Sequence, residues 1–213
     1  RVLVVGLGKS GLAASAFLAN RGSPVRVTEL SDNETTRQRA QQLRGQGIEA
    51  VELGGHTVQM AQGCEVVVVS PGVPESALPL VWAAGRGVPN MSEIELAFGF
   101  CRAPIIAVTG TNGKSSVVTL IQRVLSTARR SAIACGNLGI PFTHVLPMVT
   151  PETFVVLEVS SFQLMWCEQF RPTIGVLLNL GTNHLDRHYD RTSYIAAKAR
   201  LFARQTPQDY AVL

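Results

Sequence analysis

Twice in this chain a run of β-branched residues ends in a glycine-rich turn from which a helical pattern starts at once. That pair of joints constrains the fold more than any other feature. Val2 to Val5 lead into Gly6-Leu7-Gly8-Lys9-Ser10-Gly11, and residues 105–109 lead into Gly110-Thr111-Asn112-Gly113-Lys114-Ser115-Ser116. A strand that enters a helix through glycines is the joint of a crossover unit, and crossover units build parallel sheets covered by helices. The rest of the pattern agrees. Strands are expected at 2–5, 25–29 and 66–70, alternating with helices at 10–21, 34–46 and 78–86. A second series begins near Pro104, with strands at 105–109, 131–135, 154–159 and 174–179 and helices at 114–130 and 192–204. In the last helix Ile195, Leu201 and Phe202 are placed on the apolar side. Residues 88–103 join the two series, so the expected domains are 1–92 and 93–213. The chain opens on a strand and stops in Tyr210-Ala211-Val212-Leu213, a strand with no successor, and is therefore expected to be a piece of a longer enzyme.

Composition narrows the function classes. Hydrophobic residues make up 46% and charged residues 16% of the 213 positions, which is a globular balance and not a disordered one. A formal charge of +4 suits an anionic ligand. Nucleic acid is disfavoured because the basic residues are scattered and aromatics are only 6%. Cys64, Cys101, Cys135 and Cys167 form no CxxC pair, as expected of thiols in a reducing compartment. No apolar run reaches the length of a membrane span and no signal-peptide pattern is present, so the expected location is cytoplasmic.

The two loops carry the chemistry. In Gly6 to Gly11, glycines permit close backbone approach while the helix N-terminus offers free N–H groups to a diphosphate. Glu29, at the end of the next strand, is placed to accept hydrogen bonds from a ribose or a uracil edge. By itself this loop says only that a diphosphate nucleotide binds, and an NAD-dependent oxidoreductase remains open. In the second loop, backbone N–H groups from Gly110 to Lys114 are expected to wrap a phosphate. Lys114 then bridges the β and γ phosphates of ATP, and the Ser115 hydroxyl reaches Mg²⁺. The general phosphate loop would have glycine where this chain has Val108. Together the loops suit an enzyme that uses ATP to activate a nucleotide-linked substrate.

Three segments carry a family resemblance. Thr109-Gly110-Thr111-Asn112-Gly113-Lys114-Ser115 is similar to the phosphate loop of Mur ligases and folylpolyglutamate synthases. Asn179-Leu180-Gly181-Thr182-Asn183-His184-Leu185-Asp186-Arg187-His188 resembles the Mur ligase N-x-x-x-D/N-H-L-D-x-H stretch. Glu158-Val159-Ser160-Ser161-Phe162-Gln163-Leu164 looks like the segment of the members that add D-glutamate. Ser70-Pro71-Gly72-Val73-Pro74 and Tyr194-Ile195-Ala196-Ala197-Lys198 match as well.

The resemblance implies an α/β chain with an N-terminal Rossmann-like parallel-sheet domain, followed by an incomplete P-loop-type ATP-binding domain. It also implies a further C-terminal domain outside this sequence. The implied activity is ATP-dependent addition of D-glutamate to UDP-N-acetylmuramoyl-L-alanine through an acyl phosphate, in peptidoglycan synthesis, by a monomer. Gly8, Lys9, Ser10, Glu29, Ser70, Gly72 and Asn137 would hold the UDP substrate. Gly110, Thr111, Asn112, Gly113, Lys114, Ser115 and Ser116 would hold ATP. Ser115, Glu158, His184 and a carbamylated Lys198 would hold Mg²⁺, and Lys114, His184 and Lys198 would be catalytic. Glu29 stands where aspartate is frequent, Asn183 where an acid is usual and Ser116 where threonine is frequent.

Each of these residues has a plainer reading. Glu158 could face solvent at a strand end. His184 and His188 are spaced for zinc only on a helix with a third ligand. Lys198, without the resemblance, is an ordinary surface lysine, and Trp82 and Trp166 are packing residues. The piece could also serve as a nucleotide-binding module without catalysis.

Overall fold

A computed structural model describes residues 1–137, 139–181 and 190–213. The chain divides into two compact units, Arg1–Leu96 and Ala97–Leu213. The first runs β1 (Val2–Val5), α1 (Lys9–Ala19), β2 (Val25–Glu29), α2 (Glu34–Leu43), β3 (Ile48–Leu53), α3 (Val58–Ala61), β4 (Val66–Val69), α4 (Leu78–Ala84) and β5 (Asn90–Ser92). The division falls within α5 (Glu93–Phe100). The second unit runs β6 (Ile105–Thr109), α6 (Lys114–Thr127), β7 (Ala132–Gly136), α7 (Phe142–Val145), β8 (Phe154–Glu158), α8 (Ser161–Leu164), β9 (Ile174–Leu177), α9 (Arg191–Ala199) and β10 (Tyr210–Val212).

Both sheets are parallel, ordered β3-β2-β1-β4-β5 and β10-β9-β6-β8-β7. The central strands are covered on both faces, so they read as continuous apolar runs and not as alternation. Leu3, Val4 and Val5 of β1 and Ala107 and Val108 of β6 have no exposed surface. Each such valine or leucine contributes about 1.5–3 kcal/mol on burial. On α6, Val117, Val118, Ile121 and Leu125 recur at helical spacing and pack on Val108, Val156 and Val176. Because β1 and β6 each have neighbours on both sides, the loops that leave their carboxyl ends open into the crevice where such sheets bind ligands.

Six of these elements were not legible, among them α3 and α7, each a single turn of four residues. β3 is an edge strand without one fully buried residue, so its apolar signal is thin. β5 has three residues, and α5 with it replaces the plain connection expected over 88–103. α8 is a single turn. The last helix also differs from expectation. It ends at Ala199, and its buried face is Tyr194, Ala197 and Lys198, while Ile195 is 37% exposed. Leu201 is buried just beyond the helix end. The closing strand, β10, pairs with β9 at the sheet edge.

No disulfide links the four cysteines, and each is buried. Burial pushes the Cys64 and Cys101 thiols above their ordinary value. Among the described residues, no helix is long and apolar enough to cross a membrane.

Two glycines of the first loop are there for different reasons. Gly6 sits at φ +89°, where L side chains are strained, and a Cβ on Gly11 would fall inside the Gly6 carbonyl oxygen. Gly8 has an ordinary φ of −72°, and a Cβ there would meet nothing. Gly11→Ala is therefore expected to lower the stability of the first unit by about 1–3 kcal/mol in urea unfolding. Gly8→Ser, placed at a helix cap that serine favours, should stay within about 0.5 kcal/mol.

Candidate functional site

In the first unit the glycine loop forms one wall of a cavity of about 610 Å³. Gly8, Lys9, Ser10, Glu29, Ser70 and Gly72 all line it, together with Leu30, His56 and Leu78. The loop is fixed from three sides. Glu29 Oε2 accepts the Leu7 N–H at 2.6 Å, Arg39 donates to the Leu7 carbonyl at 2.9 Å, and Ser70 Oγ donates to the Gly6 carbonyl at 2.8 Å. The other Glu29 oxygen accepts the Ser31 N–H. Glu29 thus already has a structural task, holding the loop against the end of β2. No side chain caps α1, so its first N–H groups remain available, whereas α2 is closed by an Asn33–Thr36 capping box.

The second unit builds its site around the N-terminus of α6, which also carries no side-chain cap. Gly113, at φ +84°, turns the chain into the helix. Lys114 folds back and donates to the carbonyls of Gly110 at 2.9 Å and Thr111 at 3.0 Å. Ser115 Oγ donates to Glu158 Oε2 at 2.6 Å, and Asn137 Nδ2 donates to Glu158 Oε1 at 2.8 Å. Glu158 is only 3% exposed, so it does not face solvent. Parallel register sets Glu158 of β8 opposite Val108 of β6, at the strand ends from which the phosphate loop departs.

Lys198 is no surface lysine. It is 2% exposed, and its Nζ donates to the Gly110 carbonyl at 2.9 Å and to Thr109 Oγ1 at 3.3 Å. Burial first, and then the neighbouring Lys114 ammonium, pull it down to about 8 from an ordinary 10.5. Two lysines therefore share one carbonyl oxygen with no carboxylate hydrogen-bonded between them among the described residues. The Tyr194 ring supports Lys198 from below, 4.7 Å from Nζ.

The loop backbone departs from expectation in one respect. The N–H groups of Thr111 and Asn112 do not face the space above α6, because both donate to Asn179 Oδ1 at 3.0 Å. Asn179 Nδ2 returns a bond to the Asn112 carbonyl at 3.1 Å. The N–H groups left for an anion are those at the start of α6. Thr111 Oγ1 also meets Tyr194 Oη at 2.8 Å and accepts the Gly181 N–H at 2.7 Å.

Of the residues singled out from sequence, the cavity of the first unit gathers six. Gly110, Thr111, Asn112, Gly113, Lys114, Ser115 and Ser116 form the loop and first helical turn of the second unit, with Glu158 and Lys198 beside them. Asn137 belongs to the second unit and attends Glu158, and is not among the residues lining the first cavity. His184 and His188 lie outside the described residues. Asn179, Tyr194 and His56 were missed as site residues. For Tyr194 a signal existed, since it stands four residues before Lys198 and so on the same helix face.

Two outcomes follow. An unfolded lysine keeps its proton up to pH 10.5, whereas folded Lys198 loses it near 8, so stability should rise with pH across that window, by up to ~3 kcal/mol. Lys198→Met should flatten that rise in urea titrations run from pH 7.5 to 10.5. Asn179→Ala should release the Asn112 amide, raising its hydrogen-exchange rate about tenfold or more with little change in global stability, whereas the Thr111 amide keeps its 3.1 Å bond to the Asn179 backbone carbonyl and should change little.

Comparison with known proteins gives the family. Residues 1–92 match the Mur ligase MurD-like N-terminal domain, and residues 108–213 match the Mur ligase middle domain. UDP-N-acetylmuramoylalanine–D-glutamate ligases from Pelotomaculum thermopropionicum and Pelobacter propionicus are 42% and 43% identical over the whole of this chain. The chain spans about half the length of these curated relatives, 47% and 48%. Among solved structures, a UDP-N-acetylmuramate:L-alanyl-gamma-D-glutamyl-meso-diaminopimelate ligase from Neisseria meningitides shares the fold, with TM-score 0.63 at 18% identity. That match covers 99% of this chain and 69% of the other. The UDP-N-acetylmuramate-alanine ligase of Thermotoga maritima gives TM-score 0.56 at 21% identity, over 92% of this chain and 45% of its own. With both of its units matched by models of one family, this chain belongs to the Mur ligases and carries their MurD-like N-terminal domain and their middle domain.

Proposed function

We propose that this chain is the nucleotide-binding portion of an ATP-dependent ligase that adds D-glutamate to UDP-N-acetylmuramoyl-L-alanine. The observation that carries the reading is the unbalanced charge at the start of α6. Lys114 and Lys198 converge on one carbonyl, while among the described residues the buried carboxylate of Glu158 is met by the neutral donors of Ser115 and Asn137. A triphosphate complements the first group and a divalent cation the second. The names and identities of the relatives support the choice of substrates.

The donor set fits Mg²⁺, which takes one or two carboxylates, hydroxyls and phosphate oxygens and keeps several waters. Ser115 and Glu158 would hold it, and when bound it neutralises charge on the transferring phosphoryl group. Among the described residues no group of three or more His, Cys, Asp and Glu side chains gathers. An unmodified Lys198 does not fit beside a cation. Its lowered proton affinity makes it the amine that reacts with CO₂: nitrogen bonds to carbon, one proton leaves, and an anionic carbamate with two oxygens results. His184 is proposed to assist there.

In the reaction the muramoyl-alanine carboxylate attacks the γ-phosphorus of ATP and ADP leaves. The D-glutamate amine then attacks the acyl phosphate, and phosphate departs as the amide forms. Lys114 and the α6 N-terminus align and neutralise the phosphoryl group, and Asn179 holds the loop in shape beforehand. The proposed location is cytoplasmic, where both nucleotides are found, and the proposed state is a monomer.

Lys114→Ala tests the assignment. ATP affinity, measured by calorimetry with Mg²⁺ present, should fall about ten- to a hundredfold, the loss of one charged contact. UDP affinity should remain within about twofold, since its site is in the other unit. In the longer enzyme the same change should abolish phosphate release. Near-normal ATP binding and turnover in the variant would refute the proposal.

A further inference from the structure

The cavity of the first unit has a polar edge that the phosphate loop does not explain. His56 follows β3 and lines that cavity. Its Nδ1 lies 2.8 Å from Thr28 Oγ1, and Thr28 is fully buried. The same hydroxyl is 2.9 Å from Glu52 Oε2 and 3.0 Å from the Gly55 carbonyl. Carbonyl and carboxylate oxygens can only accept, and threonine has one proton to give. Burial opposes ionisation of Glu52, but hydrogen bonds from Thr57 and Thr28 prevail and hold its carboxyl below the ordinary range. Whichever of the two acceptors takes the Thr28 proton, the hydroxyl presents a lone pair to Nδ1. His56 Nδ1 must then carry a hydrogen. In the neutral ring that leaves Nε2 as a bare acceptor, and no partner for it is found among the described residues.

Position in the sheet indicates what Nε2 meets. The order β3-β2-β1-β4-β5 sets the diphosphate loop after β1, Glu29 at the end of β2 and His56 one strand farther out. In a nucleotide laid across such a sheet the diphosphate sits at the first strand, the ribose near the second and the base beyond. Leu30 and Leu78, 66% and 69% exposed, offer apolar surface to a flat ring in the same cavity.

We propose that His56 reads the base of the bound nucleotide, its Nε2 lone pair accepting the imide N3–H of uracil. The inference rests on the reading of this cavity as the seat of a uridine diphosphate. Cytosine presents a lone pair at N3, so the same ring opposes it, and the site selects uridine over cytidine nucleotides.

The test titrates the chain with UDP, N3-methyl-UDP and CDP by calorimetry, using wild type and His56→Phe. Wild type should bind UDP at least about tenfold more tightly than either analogue. The variant should lose that preference, weakening for UDP and, with the opposing lone pair gone, binding CDP as well as wild type does or better. Long-range ¹H–¹⁵N spectra of wild type, with His56 assigned by its loss in the variant, should show the Nδ1–H tautomer in the neutral ring. The analogue series and the spectra need no variant to fold. Equal binding of UDP and N3-methyl-UDP by wild type, a preference that survives His56→Phe, or an Nε2–H tautomer would each overturn the role of His56. If wild type bound none of the three, the reading of the cavity would fall, and this inference with it.

Discussion

A buried carboxylate, Glu158, that among the described residues meets neutral donors is the constraint around which the second unit is organised. Taking an ion out of water costs several kcal/mol even after relaxation. Two neutral hydrogen bonds to Glu158 offset only part of that cost. The parallel register of β6 and β8 nevertheless fixes it at the strand ends, and the Ser115 hydroxyl on the first turn of α6 is held to it. The opposite charges are no better served, since Lys114 and Lys198 share the Gly110 carbonyl and their other acceptors, the Thr111 carbonyl and the Thr109 hydroxyl, are neutral too. The site holds a complementary pair of deficits, the electrostatic form of preorganisation that the proposed metal-bound polyphosphate would meet.

The two phosphate loops reach rigidity by different chemistry. In the first unit a carboxylate, Glu29, accepts from the backbone of Leu7 while Arg39 donates to the same residue's carbonyl. In the second a neutral amide, Asn179, accepts from two loop N–H groups and returns a donor to a third atom. The difference suits the surroundings. A carboxylate in the Asn179 position would add negative charge at the loop proposed to face a polyphosphate, whereas the Glu29 carboxylate is already engaged by the Leu7 and Ser31 N–H groups at the end of β2.

What could be read from the sequence follows from which signals are local. The glycine spacing and the β-branched runs are short-range patterns, so β1, β2, β4, β6 and the helices after β1 and β6 were legible. Partners that meet across long loops were not. Asn179 lies 68 positions from Thr111, and Thr28 lies 28 positions from His56. No local rule announces either pair. Lys198 shows the same limit from the other direction: a lysine near a helix end reads as solvated until the packing of α9 turns it inward. β3 and β5 failed for a simpler reason, the one half-exposed at a sheet edge and the other three residues long.

The burial of all four thiols has a practical corollary. Reagents attack the thiolate, and a thiol pushed upward by burial exposes little of it at neutral pH. Cys64 and Cys101 are slow targets, and Cys135 and Cys167 are shielded by the same packing. A cysteine introduced on the solvated surface of either unit would outpace the native four towards a maleimide. The chain can therefore carry a single fluorophore or spin label without first being stripped of its own sulfur.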